Sequence, residues 1–278
     1  MGDKKLEGGV ALVTGAGRGL GRAFSIGLAA AGMRVAAVAR TAGQIAETVR
    51  LIEDAGGTAI ALIADVADPL AVRRMAEEAR ERLGPIGLLI NNAGAGGPFG
   101  PTWEADPGDW WRCFETNMCG PFLCCREIVP GMVAAGRGRI INVASGAGTR
   151  GIPYMSAYVS SKAALIRFSE TLAGELSKSG VSVFSIQPGT VRTAMAEELL
   201  ASTEGLRWLP WFKQIFDEGG DVTSDPATEL VLFLASGKAD ALSGRFFAVP
   251  DDPAKVVERG DEVKRDDLYT LRMRGLSR

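Results

Sequence analysis

Short, wholly apolar runs alternate with segments of helical periodicity along most of this chain, and that rhythm narrows its fold more than any other feature. Residues 10–13, 34–39, 59–64 and 88–90 read as strands, and residues 20–31, 42–54 and 69–82 between them as helices. Strands that are apolar throughout, rather than at every second position, are buried on both faces. The expected fold class is α/β: a doubly wound parallel sheet with helices on both faces. The second half keeps the rhythm, with helices over 110–133, 154–177 and 225–236 and strands over 139–143, 181–186 and 245–249. No linker, repeat or low-complexity stretch divides the chain. One domain over residues 1–250 is expected, with 251–278 as its C-terminal extension.

Two segments break the pattern. Residues 190–224 form a long connection carrying the aromatic stretch LRWLPWF at 206–212, and ordered insertions of this kind are often lids over binding sites. The segment from Asp251 onward is strongly charged, and the sequence leaves it open between a docked arm and a loose end.

Composition removes much chemistry. The chain has no histidine, which excludes Ser-His-Asp and Cys-His nucleophiles, HExxH zinc sites and imidazole acid-base catalysis. Any proton donor must be Tyr, Lys, Asp, Glu or Cys. Cys113, Cys119, Cys124 and Cys125 lie close together on a helical stretch and read as buried or half-buried thiols, so no metal is expected. A net charge of -2 gives neither a nucleic-acid groove nor a polybasic membrane face. The N-terminus MGDKKLEGG leads straight into a strand, and no apolar run reaches membrane-spanning length, so a cytoplasmic protein is expected.

The stretch VALVTGAGRGLG, residues 10–21, sets a strand before a glycine cluster that opens a helix. Unpaired backbone amides at such a helix start, together with the helix dipole, favour a pyrophosphate. The pattern is TGxxxGxG, with Gly15, Gly19 and Gly21, because Leu20 stands where GxGxxG would place its third glycine. Without further support the same residues describe a tight strand-to-helix turn. The end of the second strand adds to it. Where NAD-binding folds place an acidic residue for the ribose hydroxyls, this chain reads Ala39-Arg40, with no carboxylate between Glu7 and Glu47. Arg18 and Arg40, with no competing anion, suit a 2′-phosphate, so NADP (NADPH) is expected as cofactor over NAD.

In SAYVSSKAAL, residues 156–165, Tyr158 precedes Lys162 by one helical turn. Residues four apart share a helix face, so hydroxyl and ammonium project into one pocket. A free tyrosine titrates near pH ~10, and a nearby cation favours its phenolate. The expectation is a phenol acidified enough to stand in for the absent histidine.

Taken together these motifs resemble the short-chain dehydrogenase/reductase family, and the likeness spans residues 8–249 in order. Thr14-Gly15-xxx-Gly19-x-Gly21 looks like its cofactor loop, with Gly17, Arg18 and Leu20 inside it. Asp65-Val66 looks like its adenine contact, Asn91-Asn92-Ala93-Gly94 like its fourth-strand motif, and Pro188-Gly189, Val191 and Thr193 like its nicotinamide-side elements. Asn117, Ser145, Tyr158 and Lys162 fall where the family keeps its catalytic four. The resemblance implies a Rossmann fold of about seven strands in the order 3-2-1-4-5-6-7. It also implies that hydride moves between nicotinamide and a carbonyl carbon while Tyr158 protonates the oxygen and Ser145 hydrogen-bonds to it. Lys162 would hold the nicotinamide ribose, and Asn117 would anchor a water linking Lys162 to solvent.

The implied substrate is a small-molecule ketone, aldehyde or alcohol. Met195, Trp208, Leu209, Trp211 and Phe212 suggest that it is apolar, though these side chains also suit packing within the domain or against another subunit. Arg150 and Arg192 lie near enough to bind a carboxylate, or serve solubility alone. The apolar helices at 110–133 and 154–177 often pair between subunits in the family, which implies a homodimer or homotetramer. Where relatives often close on glycine, this chain reads AVPDDP and continues. The rival reading is a nucleotide-binding regulator or scaffold without turnover.

Overall fold

The structure, a computed structural model, describes residues 6–273. Strand β1 (Val10–Thr14) leads into helix α1 (Gly19–Ala30), and the unit repeats through β2 (Arg34–Ala39), α2 (Ala42–Asp54), β3 (Thr58–Ile63), α3 (Pro69–Leu83) and β4 (Ile86–Asn91). Helix α3 starts where its sequence dictates: Asp68 accepts a hydrogen bond from the Leu70 amide, and Pro69 fills the first turn, where no donor is needed.

Beyond β4 the chain runs through α4 (Pro107–Phe114) and α5 (Gly120–Ala134), which are joined by a π-helical turn over Glu115–Cys119. The uninterrupted helix expected over 110–133 is therefore corrected. Pro121 has no amide hydrogen to return to the carbonyl of residue 117, so a regular i to i−4 ladder cannot pass this point. Asn117 sits in the widened turn.

Strand β5 (Gly138–Val143), α6 (Ser156–Glu175) and β6 (Val181–Gln187) follow. The 190–224 excursion folds into three short helices, α7 (Ala194–Ala201), α8 (Thr203–Trp208) and α9 (Pro210–Asp217), and a single bridge between Val191 and Val222 closes it. Then come α10 (Asp225–Ala235), β7 (Phe246–Ala248), α11 (Pro253–Glu258) and α12 (Gly260–Arg265).

All seven strands form one sheet in the order β3-β2-β1-β4-β5-β6-β7, and every neighbouring pair is parallel. Strand β1 shows why its run is apolar throughout. Ala11 and Val13 face α1 and α10, packing with Phe24, Leu28, Val231 and Leu234. Val10 and Leu12 face the other layer, with Val72 and Met75 of α3 and Ile128 and Met132 of α5. The strand order reverses between β1 and β4, and the crevice at the C-terminal ends of the strands there is where open α/β sheets bind ligands.

The C-terminal segment is a docked arm as far as Arg272, and Met273 is exposed; the rest of the expected extension, 274–278, lies outside the described residues. Val256 and Val263 are buried in the core. Tyr269 stacks on Phe247 and accepts a hydrogen bond from the Phe246 amide at 2.9 Å, while Arg245 pairs with Asp267 at 2.7 Å. No helix among the described residues is long and apolar enough to cross a membrane. Cys113, Cys124 and Cys125 are buried free thiols and Cys119 is exposed.

Candidate active site

The turn after β1 demands glycine for two separate reasons. Gly15 has φ +65°, and a Cβ there would lie 2.9 Å from the Cα of Ala93. At Gly21 a Cβ would lie 2.3 Å from the carbonyl oxygen of Gly15, so α1 packs directly beneath the turn only without a side chain. The ends of β1 and β4 are tied together. Thr14 Oγ1 accepts from the amides of Asn92 and Ala93 at 3.0 and 3.1 Å, and Asn92 Nδ2 donates to the Thr14 carbonyl at 2.9 Å. The Asn92 side chain thus braces the turn.

The two arginines are not free of anions. Arg18 Nη2 meets Glu198 Oε1 of α7 at 2.9 Å, and Arg40 Nη1 lies 3.8 Å from Asp65 Oδ2. The expectation of no competing anion is corrected, because the carboxylates arrive from distant parts of the chain. Both pairs are solvent-exposed, where an ion pair contributes little and an incoming phosphate exchanges with it readily.

At the other end, Ser145 terminates the strand layer after β5, its Oγ accepting from the Ala147 amide at 3.1 Å. Tyr158 and Lys162 project from the first turns of α6, and Tyr158 and Ser145 line the same cavity. Lys162 is buried, its Nζ donates to the Val143 carbonyl at 2.8 Å and lies 5.7 Å from the Tyr158 ring centroid. Burial lowers the Lys162 pKa to about 8. Burial also raises the Tyr158 pKa above its ordinary value, outweighing the lowering influence of the Ser145 side chain. The expectation that Lys162 acidifies the phenol is therefore corrected for the protein alone: desolvation dominates, and it weakens the lysine's own charge.

Asn117 is buried and engaged on both sides of its amide. Oδ1 accepts from the Ala95 amide at 2.8 Å, and Nδ2 donates to the Ala95 carbonyl and to Ser161 Oγ, each at 2.9 Å. It clamps the strand of backbone after β4 to α6. Across Gly94, Asn117 Oδ1 and Lys162 Nζ flank the space that a Cβ would occupy, at 3.3 and 3.6 Å.

One cavity of about 620 Å³ runs from the glycine turn to Tyr158. Of the catalytic and cofactor-motif residues singled out from the sequence, all line it except Thr14, Gly21, Asn91 and Asn117, and of the two arginines singled out for a carboxylate, Arg150 lines it and Arg192 does not. The 190–224 segment contributes Met195, Leu199, Trp211, Phe212 and Ile215. Trp208 and Leu209, expected on the same wall, are placed otherwise: Leu209 is buried beside Met155 and Leu199, and Trp208 packs on Tyr154 at 4.6 Å and donates to Glu204. Sequence reasoning missed Ser161, Cys113 and Glu198. Ser161 alone carried a signal, standing between Tyr158 and Lys162. A second cavity, of about 590 Å³, lies between the C-terminal arm and the start of β6, and its charges are paired, Arg245 with Asp267, Arg272 with Glu170 and Asp240 with Arg139 outside the lining.

Comparison with known proteins follows the same outline. The family model described as short chain dehydrogenase matches residues 9–204. A short chain dehydrogenase of Pseudocercospora fijiensis is 31% identical over 96% of this chain and 90% of its own length. The 3beta-hydroxysteroid dehydrogenase of Mediterraneibacter gnavus is 31% identical over 86% of this chain and 92% of its own. Among solved structures, a variant of actinorhodin polyketide ketoreductase with NADPH is 29% identical, with a TM-score of 0.80 over 87% of this chain and 95% of that one.

Proposed function

The chain belongs to the short-chain dehydrogenase family, and from that premise we propose that it is an NADP(H)-dependent oxidoreductase interconverting an apolar ketone or aldehyde with the corresponding alcohol, Tyr158 acting as acid and base. The observation that carries this reading is the single cavity that holds a phosphate-sized glycine turn at one end and Ser145, Tyr158 and Lys162 at the other.

The residues present fit a dinucleotide. Gly15 and Gly21 leave a turn that any Cβ would fill, and the start of α1 offers its unpaired amides to a pyrophosphate. Arg18 and Arg40 stand ready for a 2′-phosphate, Asp65 and Val66 for adenine, and Asn92, Ala93, Gly94, Pro188, Gly189, Val191 and Thr193 line the path to Tyr158. When bound, the dinucleotide supplies or accepts the hydride at the substrate carbon.

The chain's own residues handle the proton. In reduction the Tyr158 hydroxyl delivers a proton to the substrate oxygen, and in oxidation it receives one. Ser145 donates a hydrogen bond to the same oxygen and stabilises charge building there. Lys162, anchored on Val143, fixes the side of the pocket beside Tyr158 and offers its remaining hydrogens to ribose hydroxyls. Asn117 holds the backbone at Ala95 so that Gly94 stays close to Lys162. Assembly as a homodimer or homotetramer belongs to the same reading: Trp111 of α4 and Phe122 of α5 are exposed and suit a subunit contact.

The test is spectrophotometric. Reduced cofactor absorbance is followed with NADPH and NADH against a panel of ketones and aldehydes, with calorimetry of cofactor binding alongside. Carbonyl-dependent loss of NADPH absorbance supports the reading. Cofactor binding without turnover of any carbonyl points to a regulator, and a preference for NADH overturns the cofactor assignment.

A further inference from the structure

We infer that the substrate is amphipathic, an apolar body carrying an anionic group a few bonds from its reactive carbonyl, and that Arg150 receives that anion. This deepens the oxidoreductase reading above and rests on it.

The part of the cavity beyond Ser145 and Tyr158 is walled by apolar side chains: Ile152, Met155, Met195, Leu199, Trp211 and Phe212. Phe212 is held edge-to-face between Trp211 and Phe216, with ring centroids 5.8 and 5.2 Å apart. Such a wall selects apolar bulk and offers an anion nothing. Three arginines line the same cavity. Arg18 is matched by Glu198 and Arg40 by Asp65. Arg150 has no acidic partner among the described residues. Arg192, the other arginine near the lid, is spent on Glu197 at 2.8 Å and Asp221 at 3.7 Å and stacks on Phe216. Lys162, the remaining cation of the lining, is anchored on the Val143 carbonyl beside Tyr158, so the cation left for a substrate anion is Arg150.

Its position is fixed by the fold. Ser145 caps a short 3-10 turn over Gly146–Thr149, and Arg150 closes that turn. Four residues of 3-10 helix rise about 8 Å, so Arg150 follows Ser145 within one short turn of the cavity lining, at a solvent-exposed position. The loop that follows is held under backbone strain. Tyr154 has φ +69°, a region that bulky side chains seldom adopt. It stays there because its carbonyl accepts from the Gly100 amide at 3.0 Å and its ring lies 4.6 Å from that of Trp208. Strain of this kind persists only where the surroundings impose it. The segment from Arg150 to Met155 is thus tied to the lid helices, with Ile152 and Met155 packed among Leu199, Leu209 and Phe212. A planar guanidinium at the rim of an apolar chamber takes a carboxylate or phosphate by paired hydrogen bonds, and it selects for length as well as charge.

The experiment compares two ketones of one skeleton, 4-oxo-4-phenylbutanoate and its neutral amide, as NADPH-dependent substrates of the wild type, Arg150→Ala and Arg150→Lys. The wild type should favour the carboxylate by roughly tenfold or more in kcat/KM. Arg150→Ala should erase that preference through KM for the carboxylate, leaving kinetics on the amide unchanged, and Arg150→Lys should restore part of it. Binding of the non-reactive pair 4-phenylbutanoate and 4-phenylbutanamide is measured by calorimetry on the same proteins with NADP present, and should show the same ranking. An unchanged preference in Arg150→Ala, or a wild type that treats acid and amide alike in both assays, overturns the inference while leaving the oxidoreductase reading intact. Selective carboxylate binding lost in Arg150→Ala, with no carbonyl of any kind reduced, would uphold the anion site and overturn the reaction instead.

Discussion

Arg18 of the glycine turn reaches Glu198 of α7, Nη2 to Oε1 at 2.9 Å, so a residue expected at the cofactor phosphate is held by the 190–224 segment instead. The two are 180 positions apart in sequence. On the NADP reading, a 2′-phosphate at Arg18 competes with that carboxylate. The pair is exposed, so the effect is modest. Glu198→Gln should tighten NADPH by roughly two- to fivefold and leave NADH unchanged. Equal shifts for both cofactors in a fluorescence titration would show that Glu198 acts on something other than the phosphate.

Tyr158 and Ser145 line one cavity, and the phenol is raised in pKa by burial. A phenol that keeps its proton at neutral pH is placed to donate it. Tyr158→Phe should lower turnover by roughly a hundredfold to ten-thousandfold while NADPH binding changes little. A variant that reduces a ketone at near wild-type rate would remove the tyrosine from the chemistry.

The Asn117 side chain makes four hydrogen bonds from inside the π-helical turn, two of them to Ala95 and the others to Ser161 Oγ and Cys113 Sγ. Asn117→Ala leaves the Ala95 amide unpaired and its carbonyl with only the weak Cys113 thiol donor at 3.4 Å, in a part-buried place, and should destabilise the protein by about 2–4 kcal/mol. The measurement is urea unfolding at constant m-value. Because Ala95 adjoins Gly94 at the cavity wall, NADPH affinity should fall in the same variant. Full stability would mean that the turn holds itself.

What was legible in the sequence is what is written locally. The strands stood out because burial on both faces leaves no polar position in Val10–Thr14 or Arg34–Ala39 except at their ends. Tyr158 and Lys162 stood out because one helical turn separates them. The partners of Arg18 and Arg40 were illegible, since Glu198 and Asp65 come from other elements and only the fold brings them near. The direction of the Tyr158 shift was illegible for a related reason: proximity to Lys162 can be counted along a helix, whereas desolvation is set by everything packed around the site. The π-helical turn left one trace, Pro121, in a stretch otherwise periodic enough to pass for a plain helix. In LRWLPWF, the aromatic content pointed to the cavity, yet only Trp211 and Phe212 reach it.

Lys162 gives a prediction about stability rather than turnover. Its buried amine titrates at about 8 against an ordinary 10.5. Between those values the unfolded chain still holds a proton that the folded chain has released, so unfolding takes up a proton and this residue's contribution to stability rises with pH across the window. Below about 8 both states are charged, and the folded protein bears the full penalty of an ammonium in a dry site, on the order of 3 kcal/mol. Buried Cys124 and Cys125 act the other way: burial raises their pKa above the ordinary 9.0, so above that pH the folded state keeps protons that the unfolded chain loses. The lysine is therefore isolated as a difference between wild type and Lys162→Met, in urea unfolding of the cofactor-free protein from pH 7 to 10. Wild type should gain stability relative to the variant as pH rises through that range. Parallel curves would mean that Lys162 stays protonated in the folded protein, and that its bond to Val143 compensates for burial in full.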